Sequence, residues 1–284
     1  MKKWGLALGG GGILGFAHLG VLEEMESRGL KPDFIAGTSA GAMIAGLYAA
    51  GVSLPGIRQQ VTSMFYREDA LDPLPWEAGG AISSMAFSGL LGGNLIEEAL
   101  DRMCGGKRLN DAMIPLSITS VDVISGEIVV FTNLRPKVQS SALPGRTYVA
   151  DARISEAIRA SISVPGIFVP KRFQGRYLVD GGVRDMVPAY EVRRMGAQEV
   201  IAVDLGLHVD RPQKVSGAYG ILTRSFALAA RDGTLKSLKE HASLVLQPEV
   251  WDMGFPTPGK IKALVEAGRT CAAKNMERWI SIIS

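Results

Sequence analysis

The sequence predicts an α/β fold with a mostly parallel sheet, organised as a single domain over residues 1–284. Short apolar strands alternate with helical segments along the first 56 residues, joined by short glycine-containing turns. The chain is 47% hydrophobic and 21% charged, which supplies a sizeable core and excludes a disordered protein. No internal repeat or low-complexity linker divides the 284 residues.

The N-terminal segment predicts two strand–helix units. In chain order the predicted elements are a strand over 3–8, a glycine turn over 9–12, a helix over 15–28, a strand over 33–36, a tight turn over 37–41 and an alanine-rich helix over 42–50. Strands joined in this way through short turns run parallel, with right-handed crossovers.

The rest of the chain continues the sheet and ends in helices. The predicted elements are a strand pair over 114–123 and 128–132, a helix over 154–161, strands over 176–179 and 200–204, and a helical C-terminal region over 217–284 that ends in a core-facing helix over 261–283. Residues 66–96 interrupt the pattern with prolines, paired glycines and apolar side chains. Two interpretations of 66–96 stay open: a lid or membrane-contact surface, and a core or dimer contact.

Composition excludes several classes of protein. The 34 glycines are about 12% of the chain, against roughly 7% in ordinary proteins, but they follow no collagen-like period. The net charge of +3 comes without a basic cluster, which argues against nucleic-acid binding and is compatible with contact at an anionic membrane surface. Cys104 and Cys271 are isolated, so a disulfide scaffold and a structural zinc site are not expected.

Two uncharged stretches imitate membrane segments. Residues 4–22 follow two lysines, but four consecutive glycines, His18 and the lack of a cleavage motif argue against a signal peptide. Residues 35–57 are long enough to span a bilayer, yet they contain five glycines and a proline. A buried helix in a sheet protein explains them better, and we expect a cytoplasmic protein.

The glycine loop at 9–12 has two interpretations. Gly10, Gly12 and Gly15 fit the dinucleotide-binding pattern G-x-G-x-x-G. That pattern needs an acidic residue at the end of the second strand, whereas Asp33 opens that strand. Consecutive glycine amides can instead point into one small space and stabilise an oxyanion.

A candidate nucleophile follows the second strand. Gly37-x-Ser39-x-Gly41 lies between a strand and a helix, which is the nucleophile-elbow context. The flanking glycines relieve crowding at a strained turn and leave the serine hydroxyl exposed above the sheet. The serine then needs a general base.

Asp180 is the stronger candidate for that base. It ends an apolar strand and precedes Gly181 and Gly182, although an ordinary turn would show the same letters. In a parallel sheet the carboxyl ends of strands share one edge, so we expect Asp180 to meet Ser39. Burial would raise its pKa from about 3.9 and make it a serviceable base. The three histidines, His18, His208 and His241, lack a recognisable base signature.

These blocks together resemble the patatin-like phospholipases, a family of Ser–Asp dyad acyl hydrolases. The similarity runs in consistent order from Trp4 to about Leu205. It covers the glycine loop after Leu8, residues 17–22 (AHLGVL), 37–41 (GTSAG), 122–131 (DVISGEIVVF), 157–170 (AIRASISVPGIFVP), 179–188 (VDGGVRDMVP) and 200–204 (VIAVD). Several blocks in order are more specific than any single motif.

The resemblance implies a three-layer α/β/α fold without metal or cofactor. It implies Ser39 as nucleophile and Asp180 as base, with an oxyanion hole formed by the N–H groups of Gly10, Gly11 and Gly12. The chain departs from the family pattern at Leu14, where a basic residue is usual, and at Met186, where asparagine or proline is common. The loss of a cation at position 14 favours neutral esters or lysolipids over phospholipids.

The sequence therefore predicts a serine acyl hydrolase of lipid esters, of the phospholipase A or lysophospholipase type. Its expected partners are a lipid ester substrate and, transiently, a membrane surface. A catalytically silent lipid-binding or regulatory protein on the same fold is the alternative.

Overall fold

A computed structural model of the protein describes residues 2–66, 91–134, 145–206, 217–250 and 257–284. Within these residues, nine strands form one sheet. The strands are β1 (Trp4–Leu8), β2 (Phe34–Thr38), β3 (Leu116–Asp122), β4 (Ile128–Thr132), β5 (Arg146–Val149), β6 (Lys171–Phe173), β7 (Arg176–Asp180), β8 (Glu199–Val203) and β9 (Leu244–Leu246).

Helices in the same residues cover the sheet. They are α1 (Phe16–Ser27), α2 (Ala40–Ala49), α3 (Leu54–Tyr66), α4 (Asn94–Met103), α5 (Ile154–Ser161), α6 (Ala189–Met195), α7 (Gly217–His241), α8 (Pro258–Lys274) and α9 (Met276–Ile283). Short 3-10 turns over Gly12–Gly15 and Gly181–Val183 follow β1 and β7.

The helices lie on both faces of the sheet. Leu6 and Leu8 of β1 belong to the larger core, which helices α1–α5, α8 and α9 cover. Ala7, between them, faces a smaller core covered by α6 and α7. Since neighbouring residues of a strand point to opposite faces, the sheet is the middle layer of an α/β/α sandwich. The predicted fold class is confirmed.

The sheet is mostly parallel. Its main path has the order β5-β4-β3-β2-β1-β8-β9, and every neighbouring pair on that path is parallel except β3 and β4. β7 pairs antiparallel with β3 and with β6. The antiparallel pair β3–β4 is the strand pair predicted over 114–132.

The same flank of β3 is shared by two strands, one after the other. β2 pairs with β3 from Leu116 to Thr119, and β7 then pairs with it from Ser120 to Asp122. β4 occupies the opposite flank of β3. The carboxyl ends of β2 and β7 therefore point at one another, with Asp180 level with Ser120.

Several predicted elements need correction. The helix expected over 261–283 ends at Asn275, whose side chain donates to the Cys271 carbonyl at 2.9 Å, and a second helix, α9, then begins. Such a local bond competes with continuation of the helix. The helical C-terminal region also contains a strand, β9, and three residues are too short to give a periodic signal.

The predictions for the C-terminal apolar stripe, the 66–96 segment and the membrane-like stretches have separate outcomes. The apolar stripe of the last two helices is buried, as predicted, through Ile261, Leu264, Val265, Ala272, Met276, Trp279 and Ile283. Residues 67–90 of the 66–96 segment lie outside the described residues, so its interpretations stay predictions. Searching the described residues finds no helix with the length and apolar character that a bilayer crossing requires.

Helices α1 and α8 cross closely, with a glycine on each. A Cβ atom added at Gly20 would lie 1.8 Å from the Val265 carbonyl oxygen, and one at Gly268 would lie 1.9 Å from the Ala17 carbonyl oxygen. Both obstacles are backbone atoms, so relief would require one helix to move against the other. This crossing holds the C-terminal region against the first strand–helix unit.

We expect Gly268→Ala to lower the free energy of unfolding by about 1–3 kcal/mol or more, because overpacking outweighs alanine's helix preference of about 1 kcal/mol. Urea unfolding measures the change. Gly233→Ala in α7 is the matched control, since nothing lies within 4 Å of its added Cβ. Equal stabilities of the two variants would contradict the close crossing.

Candidate active site

Ser39 lies at a strained turn between β2 and α2. Its φ of 54° and ψ of −122° are unusual for a residue other than glycine and cost on the order of 1–3 kcal/mol. A Cβ at Gly37 would lie 2.3 Å from the Gly41 carbonyl oxygen, and one at Gly41 would lie 2.1 Å from that of Leu8. Both glycines are therefore required by close backbone contacts, as the elbow pattern predicts.

Ser161 fixes the backbone of the elbow. Its hydroxyl accepts a hydrogen bond from the Ser39 N–H at 2.8 Å and donates to the Thr119 carbonyl at 2.6 Å. The Thr38 hydroxyl donates to the Asp185 carbonyl at 2.8 Å. The sequence argument gave Ser161 and Thr38 no role, because a serine in a helix and a threonine in a strand are ordinary residues.

Asp180 is buried beside the serine. Its Oδ1 accepts from the Gly182 N–H at 2.8 Å, and the Ser39 hydroxyl lies close enough to influence the pKa of the carboxyl group. Burial raises the pKa of Asp180 to about 6, against the lowering effect of the Ser39 hydroxyl and the Gly182 N–H. A carboxyl group with this pKa is largely ionised at neutral pH and is a better base than an exposed aspartate.

We predicted that Asp180 meets Ser39 at a common edge of parallel strands. That reason is wrong, because β7 runs antiparallel to β3. The two residues meet because β2 and β7 end head to head on one flank of β3. The long-range register of β7 decides this, and no local pattern encodes it.

The glycine loop lies against the nucleophile. A Cβ at Gly10 would be 3.3 Å from the Ser39 Cβ. The Gly10 N–H donates to the Met186 carbonyl at 2.9 Å, so this amide already has an acceptor. The N–H groups of Gly11 and Gly12 have no acceptor among the described residues. The Gly10 amide is therefore engaged in this conformation, and Gly11 and Gly12 remain the predicted oxyanion donors.

His18 is bonded to the backbone of the glycine loop. It is fully buried. Its Nε2 lies 2.8 Å from the Gly9 carbonyl oxygen, which can accept a hydrogen bond from the Nε2–H group. Burial lowers the pKa of His18 to about 4, in spite of that bond, so the ring is neutral at physiological pH. His241 packs edge-on against Tyr190, and His208 lies outside the described residues.

Met186 forms part of the site wall, and Leu14 does not. A Cβ at Gly10 would lie 2.8 Å from the Met186 Sδ, and one at Gly182 would lie 3.0 Å from its Cε. Met186 therefore bridges the oxyanion loop and the turn after Asp180. Leu14 is buried in the larger core. At this position, where the family usually has a basic residue, the protein therefore has a buried apolar side chain without charge.

A buried charge network holds the loop that carries Met186. Arg146 donates to Asp185 at 3.0 Å and to Glu191 at 2.8 Å, and Arg194 donates to Glu191 at 2.7 Å. Burial raises the pKa of Asp185 to about 6, although the charge of Arg146 opposes the shift. The network lies one residue from Met186 and anchors the loop to β5 and α6.

Within the described residues, no group of three or more histidine, cysteine, aspartate or glutamate side chains could hold a metal ion. The arrangement places a serine hydroxyl beside a buried carboxyl group, with the glycine loop against the serine. These groups can attack an acyl carbon, accept a proton and stabilise an oxyanion.

The fold is a three-layer α/β sandwich in which Ser39 occupies the strained turn between β2 and α2 and Asp180 is buried nearby. The family described as patatin-like phospholipase matches residues 6–193. The chain belongs to this family, as its sequence blocks predicted.

Comparison with known proteins gives relatives of different size. An uncharacterized NTE family protein of Mycobacterium bovis is 31% identical over 202 residues, which are 70% of this chain and 48% of that protein. Lysophospholipase NTE1 of Saccharomyces cerevisiae is 31% identical over 207 residues, 73% of this chain and 11% of that protein. The chain thus spans half or less of the length of these relatives.

The fold also occurs in a solved structure. VipD from Legionella pneumophila aligns with a TM-score of 0.55 at 16% identity, covering 98% of this chain and 67% of that one. This similarity supports the architecture.

Proposed function

We propose that this protein is a serine acyl hydrolase of lipid esters, of the phospholipase A or lysophospholipase type. The observation that carries the proposal is the burial of the Asp180 carboxyl group beside Ser39, which occupies the strained turn of the elbow. The adjacent amides of Gly11 and Gly12 supply the complementary oxyanion site. Membership of the patatin-like phospholipase family supports the lipid substrate.

The first half-reaction acylates Ser39. Asp180 accepts the hydroxyl proton as Oγ attacks the ester carbonyl carbon. The Gly11 and Gly12 N–H groups stabilise the negative charge on the carbonyl oxygen, each contributing roughly 3–4 kcal/mol when preorganised. The tetrahedral intermediate then collapses, and the protonated Asp180 gives its proton to the leaving alcohol.

The second half-reaction regenerates the serine. Asp180 accepts a proton from water as the water attacks the acyl carbon, and the same amides hold the oxyanion. Collapse releases the fatty acid, and Asp180 returns the proton to Ser39 Oγ. His18 is assigned no proton transfer, because its Nε2 already bonds Gly9 and its ring is neutral.

Two observations support our choice of substrate class. Leu14 removes the cation that the family pattern carries there and favours neutral esters or lysolipids. The similarity to a protein named lysophospholipase points in the same direction. We therefore place lysophospholipids first among the substrates.

We expect kcat/KM for a neutral, monomeric ester to fall towards tenfold per pH unit as the pH drops below about 6, because protonated Asp180 cannot accept the serine proton. A short-chain nitrophenyl ester, followed over this range with release corrected for the ionisation of nitrophenol, measures the profile. A profile that stays flat down to about pH 4.5 would contradict Asp180 as the base.

Hydrolysis of a lipid panel tests the function itself. Purified protein is incubated with lysophosphatidylcholine, diacylphosphatidylcholine and monoacylglycerol, and fatty-acid release is quantified by mass spectrometry. We expect the highest rate with lysophosphatidylcholine and background rates for Ser39→Ala. Absence of hydrolysis of every lipid and of short-chain esters would favour a catalytically silent lipid-binding protein.

A further inference from the structure

The sheet extends beyond the level of the nucleophile on one side of the site. Thr119 of β3 pairs with Thr38, which precedes Ser39, and β3 continues to Asp122. Val123 is four residues past Thr119, which at about 3.3 Å per residue places it roughly 13 Å further along the strand. β7 extends beside it, since the Val123 N–H donates to the Tyr177 carbonyl at 2.9 Å.

The outer end of this wall exposes apolar side chains. Ile124 is 77% exposed, Val123 53% and Tyr177 40%. The three residues are neighbours through the β3–β7 pairing, and we call them the apolar tip. Single exposed apolar residues are ordinary on protein surfaces, but adjacent ones mark contact sites.

The apolar tip is held rigidly. The Asp122 carboxyl group accepts hydrogen bonds from the Ile124 N–H at 3.2 Å and from the Ser125 hydroxyl at 3.0 Å. Arg176 bridges Asp122 and Glu127, at 3.2 and 2.9 Å. A turn braced in this way presents Val123 and Ile124 outward at little further entropic cost on binding.

Two arginines that have no carboxylate partner among the described residues flank the apolar tip. The Arg172 guanidinium lies 5.2 Å from the centre of the Tyr177 ring, and Arg184 donates to the Gly126 carbonyl. Neither is within ion-pair distance of an acidic side chain in the part of the chain that the structure describes. Both side chains are exposed, so they can meet phosphate groups.

We propose that the apolar tip, with Arg172 and Arg184, docks the protein on an anionic lipid surface. The apolar side chains enter the boundary between head groups and acyl chains, and the two arginines meet lipid phosphates. Docking at the outer end of the wall turns the catalytic end of the sheet towards the lipid. This inference concerns binding and does not require Ser39 to be a nucleophile.

Vesicle co-sedimentation tests the docking, with every variant built on Ser39→Ala so that no lipid is consumed. Vesicles are made of phosphatidylcholine, with or without phosphatidylglycerol. We expect Val123→Ser/Ile124→Ser to weaken binding to both kinds by about tenfold or more, because both apolar side chains leave the lipid. Arg172→Gln/Arg184→Gln should lose about fivefold per arginine on the anionic vesicles and little on the neutral ones.

Met113→Ser is the matched control. Met113 is 72% exposed and precedes β3 at its opposite end, so the substitution removes a similar apolar surface far from the apolar tip. We expect it to bind vesicles like the parent. With Ser39 restored, the apolar-tip variants should hydrolyse a monomeric ester within about twofold of wild type, which shows that they fold.

Three results would overturn the docking proposal: no vesicle binding by the parent, parent-like binding by both double variants, or equal loss in Met113→Ser. Failure of the proposed hydrolysis would appear separately, as an inactive wild-type protein whose vesicle binding still depends on the apolar tip.

Discussion

Ser39→Ala is expected to lower kcat for ester hydrolysis on the order of 10⁴-fold or more, because the substitution removes the atom that forms the acyl-enzyme. The side chain of alanine is small, and the backbone N–H of residue 39 can still donate to the Ser161 hydroxyl. The elbow should therefore keep its conformation. Steady-state hydrolysis of a short-chain ester measures the loss. Thermal unfolding should show a midpoint close to that of the wild type.

Ser63→Ala controls for the loss of a serine hydroxyl elsewhere. Its hydroxyl is on the exposed face of α3 and donates only to the Gln59 carbonyl within the described residues. We expect wild-type activity from this variant. Retention of more than about one hundredth of the activity by Ser39→Ala would mean that another group is the nucleophile.

Asp180→Asn is expected to lower kcat/KM by about 10³–10⁴-fold, as substitution of a catalytic carboxylate does in other serine hydrolases. The amide keeps the shape of the side chain but cannot accept the serine proton. The remaining activity should no longer fall as the pH drops through 6. The pH profile of the variant, measured on the same ester, checks both expectations.

The same variant should not lose stability at neutral pH. Folding raises the pKa of Asp180 from 3.8 to about 6, so the ionised carboxylate opposes folding above the unfolded pKa and most strongly above the folded one. Replacing it by a neutral amide removes a penalty of up to about 3 kcal/mol at pH 7. Lost activity together with unchanged or higher stability separates a chemical role from a structural one.

Asp185→Asn is the matched control for a buried carboxyl group. Burial raises its pKa to about 6 as well, but its side chain pairs with Arg146 and not with Ser39. We expect this variant, in which Arg146 keeps its ion pair with Glu191, to keep the acid fall in kcat/KM. If Asp185→Asn abolished that fall and Asp180→Asn did not, the assignment of the base would be wrong.

The sequence was sufficient to predict Ser39 and Asp180 as the candidate catalytic residues because such chemistry imposes local patterns. An exposed nucleophile at a strained turn needs glycines at 37 and 41, and the observed backbone contacts require both. Asp180 was found from the glycines that follow it. The strands around these residues were also predicted to within a few positions, since each is a continuous apolar run.

The arrangement of those residues could not be predicted in the same way. The head-to-head approach of β2 and β7 depends on pairing between strands more than a hundred residues apart. The engagement of the Gly10 amide by Met186 and the bracing of Ser39 by Ser161 depend on the same long-range packing. Both residues lie in blocks that resemble the family, but a single sequence does not show which backbone groups they contact.

Covalent labelling tests the central claim, that Ser39 is a nucleophile activated by Asp180. The protein is treated with an alkyl fluorophosphonate, in which the serine oxygen displaces fluoride from phosphorus, and the modified peptide is identified by mass spectrometry. We expect one adduct, on Ser39, formed far more slowly in Asp180→Asn and at the wild-type rate in Ser63→Ala. Absence of an adduct, an adduct on another residue, or unchanged labelling of Asp180→Asn would contradict the account.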